Sequence, residues 1–196
     1  MNVGIIGAGS MGSGIAQVAA TAGEEVMVFD TNTSAIDKAG ASLNKVFARL
    51  VEKNKYTLEE ADDILGRITF VNSLELLENS DLIIEAIIEN LEIKQSVFAQ
   101  LEEIVSEECI LASNTSSLSI ASISSACKKP ERVIGIHFFN PAPLMKLVEI
   151  IPSITTNPAL TSKVKTTIDS WKKVTALVKD TPGFISIVAS FGSEIL

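Results

Sequence analysis

The segment NVGIIGAGSMGSGIAQVAATAGEEVMVFD, residues 2–30, decides the fold. An apolar run over 2–7 enters a glycine-rich turn, and the small residues of 10–22 then have the composition of a helix. A second apolar run, 24–30, ends on Asp30. This order predicts the opening βαβ unit of a parallel sheet, because parallel neighbours need a crossover connection that is usually a helix.

The turn GAGSMG has the pattern G-x-G-x-x-G in its specific context, after a strand and at the start of a helix. We expect Gly7 to permit the tight turn, Gly9 to let the backbone approach a pyrophosphate, and Gly12 to let the helix pack closely on the strand. The unpaired N–H groups at the start of the helix, at Ser10 and Met11, would then face the phosphates. The turn therefore predicts a dinucleotide site.

Asp30 ends the second predicted strand, where dinucleotide-binding domains place an acid. A carboxylate there accepts a hydrogen bond from a ribose 2′-hydroxyl and repels a 2′-phosphate, so the sequence predicts NAD rather than NADP. The alternative interpretation is that the glycines serve only close packing and that Asp30 is an ordinary loop acid.

Strands and helices alternate through most of the remaining chain, and the predicted strands are continuous apolar runs. Such runs are typical of parallel sheets with helices on both faces. We therefore predict an α/β domain of the Rossmann type, with a doubly wound, mostly parallel sheet, over residues 1–180. Further strands are predicted at 68–71, 81–87, 109–114, 132–138, 144–151 and 175–179, and further helices at 34–53, 58–65, 73–80, 92–106, 118–128 and 158–173.

Composition excludes several classes of protein. The 196 residues carry a net charge of −8, which argues against general binding to nucleic acid or anionic membrane. No apolar run is long enough to cross a membrane and the start of the chain lacks a signal peptide, so we expect a soluble, cytoplasmic protein. Cys109 and Cys127 form neither a disulfide framework nor a metal site, and Cys109 opens an apolar run typical of a buried, reduced thiol.

The segment GIHFFNPAPLMKLVEI, residues 135–150, contains His137, the only histidine in the chain. Its imidazole is the natural general base or acid near neutral pH, although a lone histidine beside an apolar run is more often structural. His137 ends a predicted strand, where open parallel sheets bind ligands, and the polar pair Asn140-Pro141 follows. Glu149 on the next predicted strand could meet the ring and fix its tautomer, or could be a plain surface acid.

The segment SNTSSLSI, residues 113–120, is a second polar cluster after a predicted strand. Its hydroxyl and amide side chains could cap the following helix, or one of them could bond a substrate oxygen. The residue types favour neither interpretation.

Together, GAGSMGSGIAQ, IIEAIIENLEIK, LASNTSSLSI, GIHFFNPAPLMKLVEI and DTPGF resemble the L-3-hydroxyacyl-CoA dehydrogenases, in particular the bacterial 3-hydroxybutyryl-CoA dehydrogenases. The resemblance runs from residue 1 to about 184. It implies NAD-dependent oxidation of a 3-hydroxyacyl-CoA, or the reverse reduction, in fatty acid or butanoate metabolism. His137 would be the general base, Glu149 would orient it, Ser116 would bond the substrate oxygen, and Asn140 would lie near the nicotinamide and the substrate.

The resemblance also implies further contacts. Glu89 and Lys94 would contact the cofactor. Lys53 and Lys55 are candidates for binding the polyanionic CoA, although a solvated helix end explains that pair equally well. No metal is implied.

The sequence departs from the family pattern in two respects. The family continues after PGF into an Asn-Arg pair whose asparagine joins the active site, whereas this chain has Ile187 and Val188 there. The family also has a further helical domain that closes over the acyl-CoA and forms a dimer, of which 181–196 would be only a stub. The alternatives are therefore a homodimer, a split enzyme whose partner chain supplies that domain, or a truncated or non-catalytic NAD-binding domain.

Overall fold

The fold, described over residues 1–181 in a computed structural model, is one sheet with helices on both faces. The strands of this part of the chain are β1 (Asn2–Ile6), β2 (Glu25–Phe29), β3 (Ile68–Val71), β4 (Leu82–Glu85), β5 (Ile110–Ser113), β6 (Val133–Phe138), β7 (Leu147–Pro152) and β8 (Val174–Leu177). The helices are α1 (Ser10–Thr21), α2 (Thr33–Glu52), α3 (Leu58–Gly66), α4 (Leu91–Ile104), α5 (Ile120–Ser124) and α6 (Pro158–Ser170).

The sheet is doubly wound, as predicted. Its order is β3-β2-β1-β4-β5-β6-β7-β8, so the chain leaves β1 first toward one edge and then, from β4, toward the other. Strands β1 to β6 pair in parallel, β7 is antiparallel to β6, and β8 is parallel to β7. The carboxyl ends of β1 and β4 therefore diverge into crossovers on opposite sides, which opens a crevice above the sheet.

Two apolar cores explain why the strands are continuous apolar runs. In β4, Leu82 and Ile84 enter the core under α1, α2, α3 and α6, while Ile83 enters the core under α4 and α5. Trp171, just after α6, belongs to the first core, where its ring stacks on Phe138 with centroids 6.4 Å apart. Both faces of the sheet are thus excluded from water, the arrangement in which alternation of apolar and polar residues disappears.

Two predicted helices are shorter in the structure. The prediction of a helix over 73–80 was wrong in extent, because only a 3-10 turn forms at Leu74–Leu77. The helix predicted over 118–128 is reduced to α5, and beyond it the N–H groups of Ala126 and Cys127 bond carbonyls three residues back rather than four. Such bonds tighten and end a helix.

The glycine-rich turn is shaped by steric limits at two of its glycines. Gly7 has φ +105°, a conformation that side chains disfavour, and its N–H donates to the Phe29 carbonyl at 2.8 Å. A Cβ on Gly12 would lie 1.9 Å from the carbonyl oxygen of Gly7, so only glycine lets α1 begin so close to β1. A Cβ on Gly9 would meet no atom within 4 Å among the described residues.

Within residues 1–181 no helix combines the length and apolar character needed to cross a membrane. The predicted stub at 181–196 lies, apart from Thr181, outside the described residues. Ile187 and Val188 lie there too.

Both cysteines are free and buried, as the sequence indicated for Cys109. Burial raises the pKa of the Cys109 thiol to about 12 and that of Cys127 to about 11. Because the thiolate is the reactive form, both side chains are chemically inert at neutral pH.

We predict that neither thiol of the folded protein reacts with a water-soluble disulfide reagent at neutral pH, because both are buried and protonated. Both should react once the protein is unfolded in denaturant, which a spectrophotometric thiol titration measures. Rapid reaction of either cysteine in the native protein would contradict this burial.

We predict that Gly12→Ala destabilises the fold by about 1–3 kcal/mol or more, because the new methyl group overlaps the Gly7 carbonyl. Gly9→Ala is the matched control and should cost about 1 kcal/mol or less, as its Cβ enters open space at the helix N-cap. Urea unfolding measures both variants. Equal stabilities would show that the close approach of α1 to β1 is not enforced by Gly12.

Candidate active site

A cleft of about 310 Å³ lies above the carboxyl ends of the central strands. Six of the residues that the sequence singled out line it. Its lining includes Met11, Glu89, Lys94, Ser116, His137 and Asn140. The position agrees with the rule that open α/β sheets bind ligands where the strand order reverses.

His137 and Glu149 form a buried pair beside this cleft. They are directly opposite each other in the antiparallel register of β6 and β7, so their side chains share one face of the sheet. The imidazole Nδ1 lies 2.9 Å from Oε2 of Glu149, and the two residues are 7% and 1% exposed. Since a carboxylate only accepts, Nδ1 carries the proton and Nε2 of the neutral ring is the basic nitrogen.

The Ser116 turn, residues 114–119, connects β5 to α5. The side chain of Ser119 caps α5, accepting from the Ser122 N–H at 3.3 Å, and Asp180 accepts from the Ile120 and Ala121 N–H groups, both at 2.8 Å. Within residues 1–181 the Ser116 hydroxyl makes no hydrogen bond, and Ser116 lines the cleft. The capping interpretation therefore holds for Ser119, and the contact of Ser116 with a substrate oxygen stays a prediction.

Glu89, in the connection between β4 and α4, organises the Ser116 turn. Its Oε1 accepts from the N–H groups of Ser116 and Ser117 at 3.1 and 3.2 Å and from the Thr115 hydroxyl at 2.5 Å. Burial by itself raises the pKa of Glu89, but the Thr115 hydrogen bond and the Lys94 charge outweigh it and hold the pKa below its usual value. Glu89 is therefore a carboxylate at neutral pH, with its acceptor capacity largely used by the turn.

Lys94 is 1% exposed, so its ammonium is not a free surface charge. Its Nζ donates to Oε1 of Glu85 at 2.5 Å and lies 3.3 Å from Oε2 of Glu89. The predicted cofactor contacts of Lys94 and Glu89 are untested, although both residues line the cleft.

Two polar residues of the site were missed from sequence. Glu85 is fully buried at the end of β4, and its only signal in the sequence was its place as an acid near the end of an apolar run. Asn114 lines the cleft and its Oδ1 accepts from the Phe138 N–H at 2.8 Å. This bond fixes the amide orientation, so the Asn114 NH₂ group is available on its other side.

Asp30 reaches the glycine-rich turn, as its position after β2 predicted. Its Oδ2 accepts from the Ala8 N–H and its Oδ1 from the Asn32 N–H, both at 2.8 Å. Asp30 therefore holds the turn in shape, and its predicted contact with a ribose hydroxyl remains a prediction.

The turn fits a dinucleotide. None of the hydrogen bonds within residues 1–181 uses the N–H groups of Ser10, Met11 or Gly12. The first turn of α1 contains no acidic residue, and Gly9 leaves open space beside these donors. Free donors at a helix N-terminus, without a competing carboxylate, are what a pyrophosphate requires.

Lys53 and Lys55 are not part of this cleft. Both are exposed in the connection between α2 and α3, and neither side chain makes a hydrogen bond or an ion pair with the rest of the described chain. Their proposed contact with CoA stays a prediction. Over the same residues, no cluster of three or more histidines, cysteines or acids is placed to hold a metal ion.

Comparison with known proteins gives a consistent result. Residues 2–181 match the family model described as 3-hydroxyacyl-CoA dehydrogenase, NAD binding domain. The chain is 43% identical to 3-hydroxybutyryl-CoA dehydrogenase of Clostridioides difficile, covering 94% of this chain and 66% of that protein. It is 41% identical to 3-hydroxyadipyl-CoA dehydrogenase of Escherichia coli, covering 93% of this chain and 38% of that protein.

Solved structures agree. The crystal structure of 3-hydroxybutyryl-CoA dehydrogenase from Escherichia coli superposes with a TM-score of 0.93 at 40% identity, covering 94% of this chain and 39% of that one. The Ralstonia eutropha enzyme gives a TM-score of 0.91 at 38% identity, covering 95% and 66%. The chain thus spans about two thirds or less of the length of these relatives. With this likeness over nearly its whole length, the chain belongs to the 3-hydroxyacyl-CoA dehydrogenase family and contains the NAD-binding domain of that family.

Proposed function

We propose that the chain binds NAD and supplies the general base of an L-3-hydroxyacyl-CoA dehydrogenase that acts on 3-hydroxybutyryl-CoA. The observation that supports this best is the His137–Glu149 pair, buried at the edge of the cleft that also receives the glycine-rich turn. The names of the relatives, among them 3-hydroxybutyryl-CoA dehydrogenase, support the substrate class.

The proposed chemistry uses the free nitrogen of His137. As the 3-hydroxyl group is oxidised, Nε2 of His137 removes its proton, the C3–H bond releases a hydride, and a C=O bond forms. NAD supplies the hydride acceptor. Glu149 holds the ring so that Nε2 faces the cleft, and its negative charge stabilises the imidazolium formed. In the reverse direction the same imidazolium returns the proton to the carbonyl oxygen.

Ser116 and Asn140 would orient the reacting oxygen and the nicotinamide. Both line the cleft with His137, and the Ser116 hydroxyl is not used within the described residues. A hydrogen bond from a hydroxyl group to the reacting oxygen becomes stronger as that oxygen gains negative charge. The bond therefore stabilises the transition state more than the ground state.

The polyanionic CoA moiety needs positively charged groups to bind its phosphates. Because the chain has a net charge of −8, only a local cluster of basic residues can supply them. We propose Lys53 and Lys55 for its phosphates, since both are exposed and unpaired within residues 1–181. We also propose that the enzyme works as a homodimer or with a partner chain that supplies a helical domain, as the family resemblance implies.

Gly9→Val should abolish saturable NADH binding, weakening it about 100-fold or more, because its side chain would occupy the space proposed for the pyrophosphate. The Cβ meets no atom within 4 Å among residues 1–181, so the thermal midpoint should change little. Gly66→Val is the matched control, since its Cβ also meets no atom within 4 Å and lies far along the chain at the end of α3. Isothermal titration calorimetry measures binding.

A wild-type chain that does not bind NADH would refute the cofactor site. Equal binding by wild type and Gly9→Val would refute the placement of the pyrophosphate at this turn.

His137→Gln should reduce acetoacetyl-CoA-dependent NADH oxidation by about 10²–10⁴-fold, the usual contribution of a general base. Glu149→Gln should also lose at least about 10²-fold, because the amide no longer enforces the productive tautomer. Glu103→Gln, which removes an exposed ion pair with Lys128, is the control and should keep full activity. Absorbance at the reduced nicotinamide band follows the rate.

Equal rates in wild type and His137→Gln would rule out His137 as the base. A wild-type chain that binds NADH but reduces no acetoacetyl-CoA, even with a helical domain of a relative added in trans, would limit the function to cofactor binding.

A further inference from the structure

We infer that Glu85 is a positioning residue, whose buried carboxylate fixes the Ser116 turn and Glu89 relative to the glycine-rich turn. Glu85 does not line the cleft, so it acts only through other residues. Its proposed effect on cofactor binding rests on the proposed function, whereas its effect on the turn does not.

Glu85 is the centre of a buried hydrogen-bond network. It is 0% exposed, and its Oε1 accepts from Nζ of Lys94 at 2.5 Å and from the N–H of Ile87 at 2.7 Å. Its Oε2 accepts from the Ser113 hydroxyl at 2.7 Å. The three donors come from α4, from the loop after β4 and from β5, so one carboxylate joins three segments around the cleft.

The first route to the Ser116 turn runs through Lys94. Its ammonium, held by Glu85, also contacts Glu89 at 3.3 Å. Glu89 in turn accepts the N–H groups of Ser116 and Ser117. Because Lys94 is held between two carboxylates, the position of Glu89 depends on the charge of Glu85.

The second route runs through Ser113 and reaches the start of the same turn. The Ser113 hydroxyl donates to Glu85 and accepts from the Thr115 N–H at 3.2 Å. The backbone adds to this, since the Asn114 N–H donates to the Glu85 carbonyl at 2.8 Å. The start of the Ser116 turn is thus tied to Glu85 directly, and its middle is tied to Glu85 through Lys94 and Glu89.

Glu85 also sets the distance to the glycine-rich turn. The Ile87 N–H bond closes the corner at Ala86, and a Cβ on Gly7 would lie 2.7 Å from the Ala86 carbonyl oxygen. The Ala86 corner therefore packs so closely against Gly7 that no side chain fits between them. A change at Glu85 shifts the Ser116 turn relative to the glycine-rich turn. Hydride transfer depends on the relative position of these two turns.

Stability alone does not account for this ion pair. Both side chains are almost completely buried, and the loss of hydration largely cancels the attraction between buried charges. An apolar pair of equal volume would fill the same space. The charges instead hold the hydrogen-bond donors around the Glu85 carboxylate in one arrangement. A positioning residue requires this property.

The test compares Glu85→Gln with Glu102→Gln. Glu102 is the matched control, because its side chain is 7% exposed, faces Arg132, and accepts from the N–H groups of Lys128 and Lys129 away from the cleft. Amide hydrogen exchange in the ligand-free protein is the readout. We expect exchange at Thr115, Ser116 and Ser117 to accelerate about tenfold in Glu85→Gln and to stay unchanged in Glu102→Gln.

Unchanged exchange at these three amides in a folded Glu85→Gln would overturn the inference. If that variant does not fold, Ser113→Ala removes only the second route and should accelerate exchange at Thr115. If the Thr115 amide of Ser113→Ala exchanged at the wild-type rate, the inference would then be overturned.

Cofactor binding gives a second readout that a loss of stability would not move. NADH affinity should fall about tenfold in Glu85→Gln and in Glu89→Gln, with no further loss in the double variant, because both act through the same contacts. Additive losses would contradict a shared route. If wild type binds no NADH, the proposed function fails, while the exchange measurement still decides the role of Glu85.

Discussion

The antiparallel pairing of β6 with β7 is the constraint on which the site depends. Side chains alternate between the faces of a sheet, so His137 and Glu149 meet only in the register that places them directly opposite each other. Gly135 makes the register possible, since a Cβ there would lie 2.9 Å from both Ile120 and Ile151. Glu149 lies near the start of β7, and His137 lies near the end of β6. If β7 ran parallel to β6, Glu149 would therefore lie toward the opposite edge of the sheet from His137.

The fold was largely predictable from sequence because its signals are local. Continuous apolar runs marked the buried strands, and the glycine pattern marked the turn between β1 and α1. The pair of His137 and Glu149 followed from their positions on neighbouring strands. The extent of α5 was not predictable, because the chain there continues in turns that only tertiary contacts define.

The polar network beneath the cleft could not be predicted for a different reason. The residue types of Glu85, Lys94 and Ser113 do not reveal these partners, because their bonds join segments that meet only after the sheet has formed. Lys94 was expected in the site only from the family resemblance. The orientation of the Asn114 amide could not be predicted either, since it depends on a hydrogen bond from the backbone of β6. A carboxylate in an apolar strand indicates that a partner exists, but the identity of the partner is a property of the fold.

The stacking of Trp171 on Phe138 has an optical consequence. Trp171 is the only tryptophan in the chain and is 3% exposed, with its Nε1 donating to Glu24 at 3.0 Å. Phe138 is the neighbour of His137 in β6. The indole therefore lies in the buried core on the face of the sheet opposite to the imidazole. Reduced nicotinamide absorbs where indole emits, so the chain carries a native donor for energy transfer from its core to a nicotinamide bound at the proposed site.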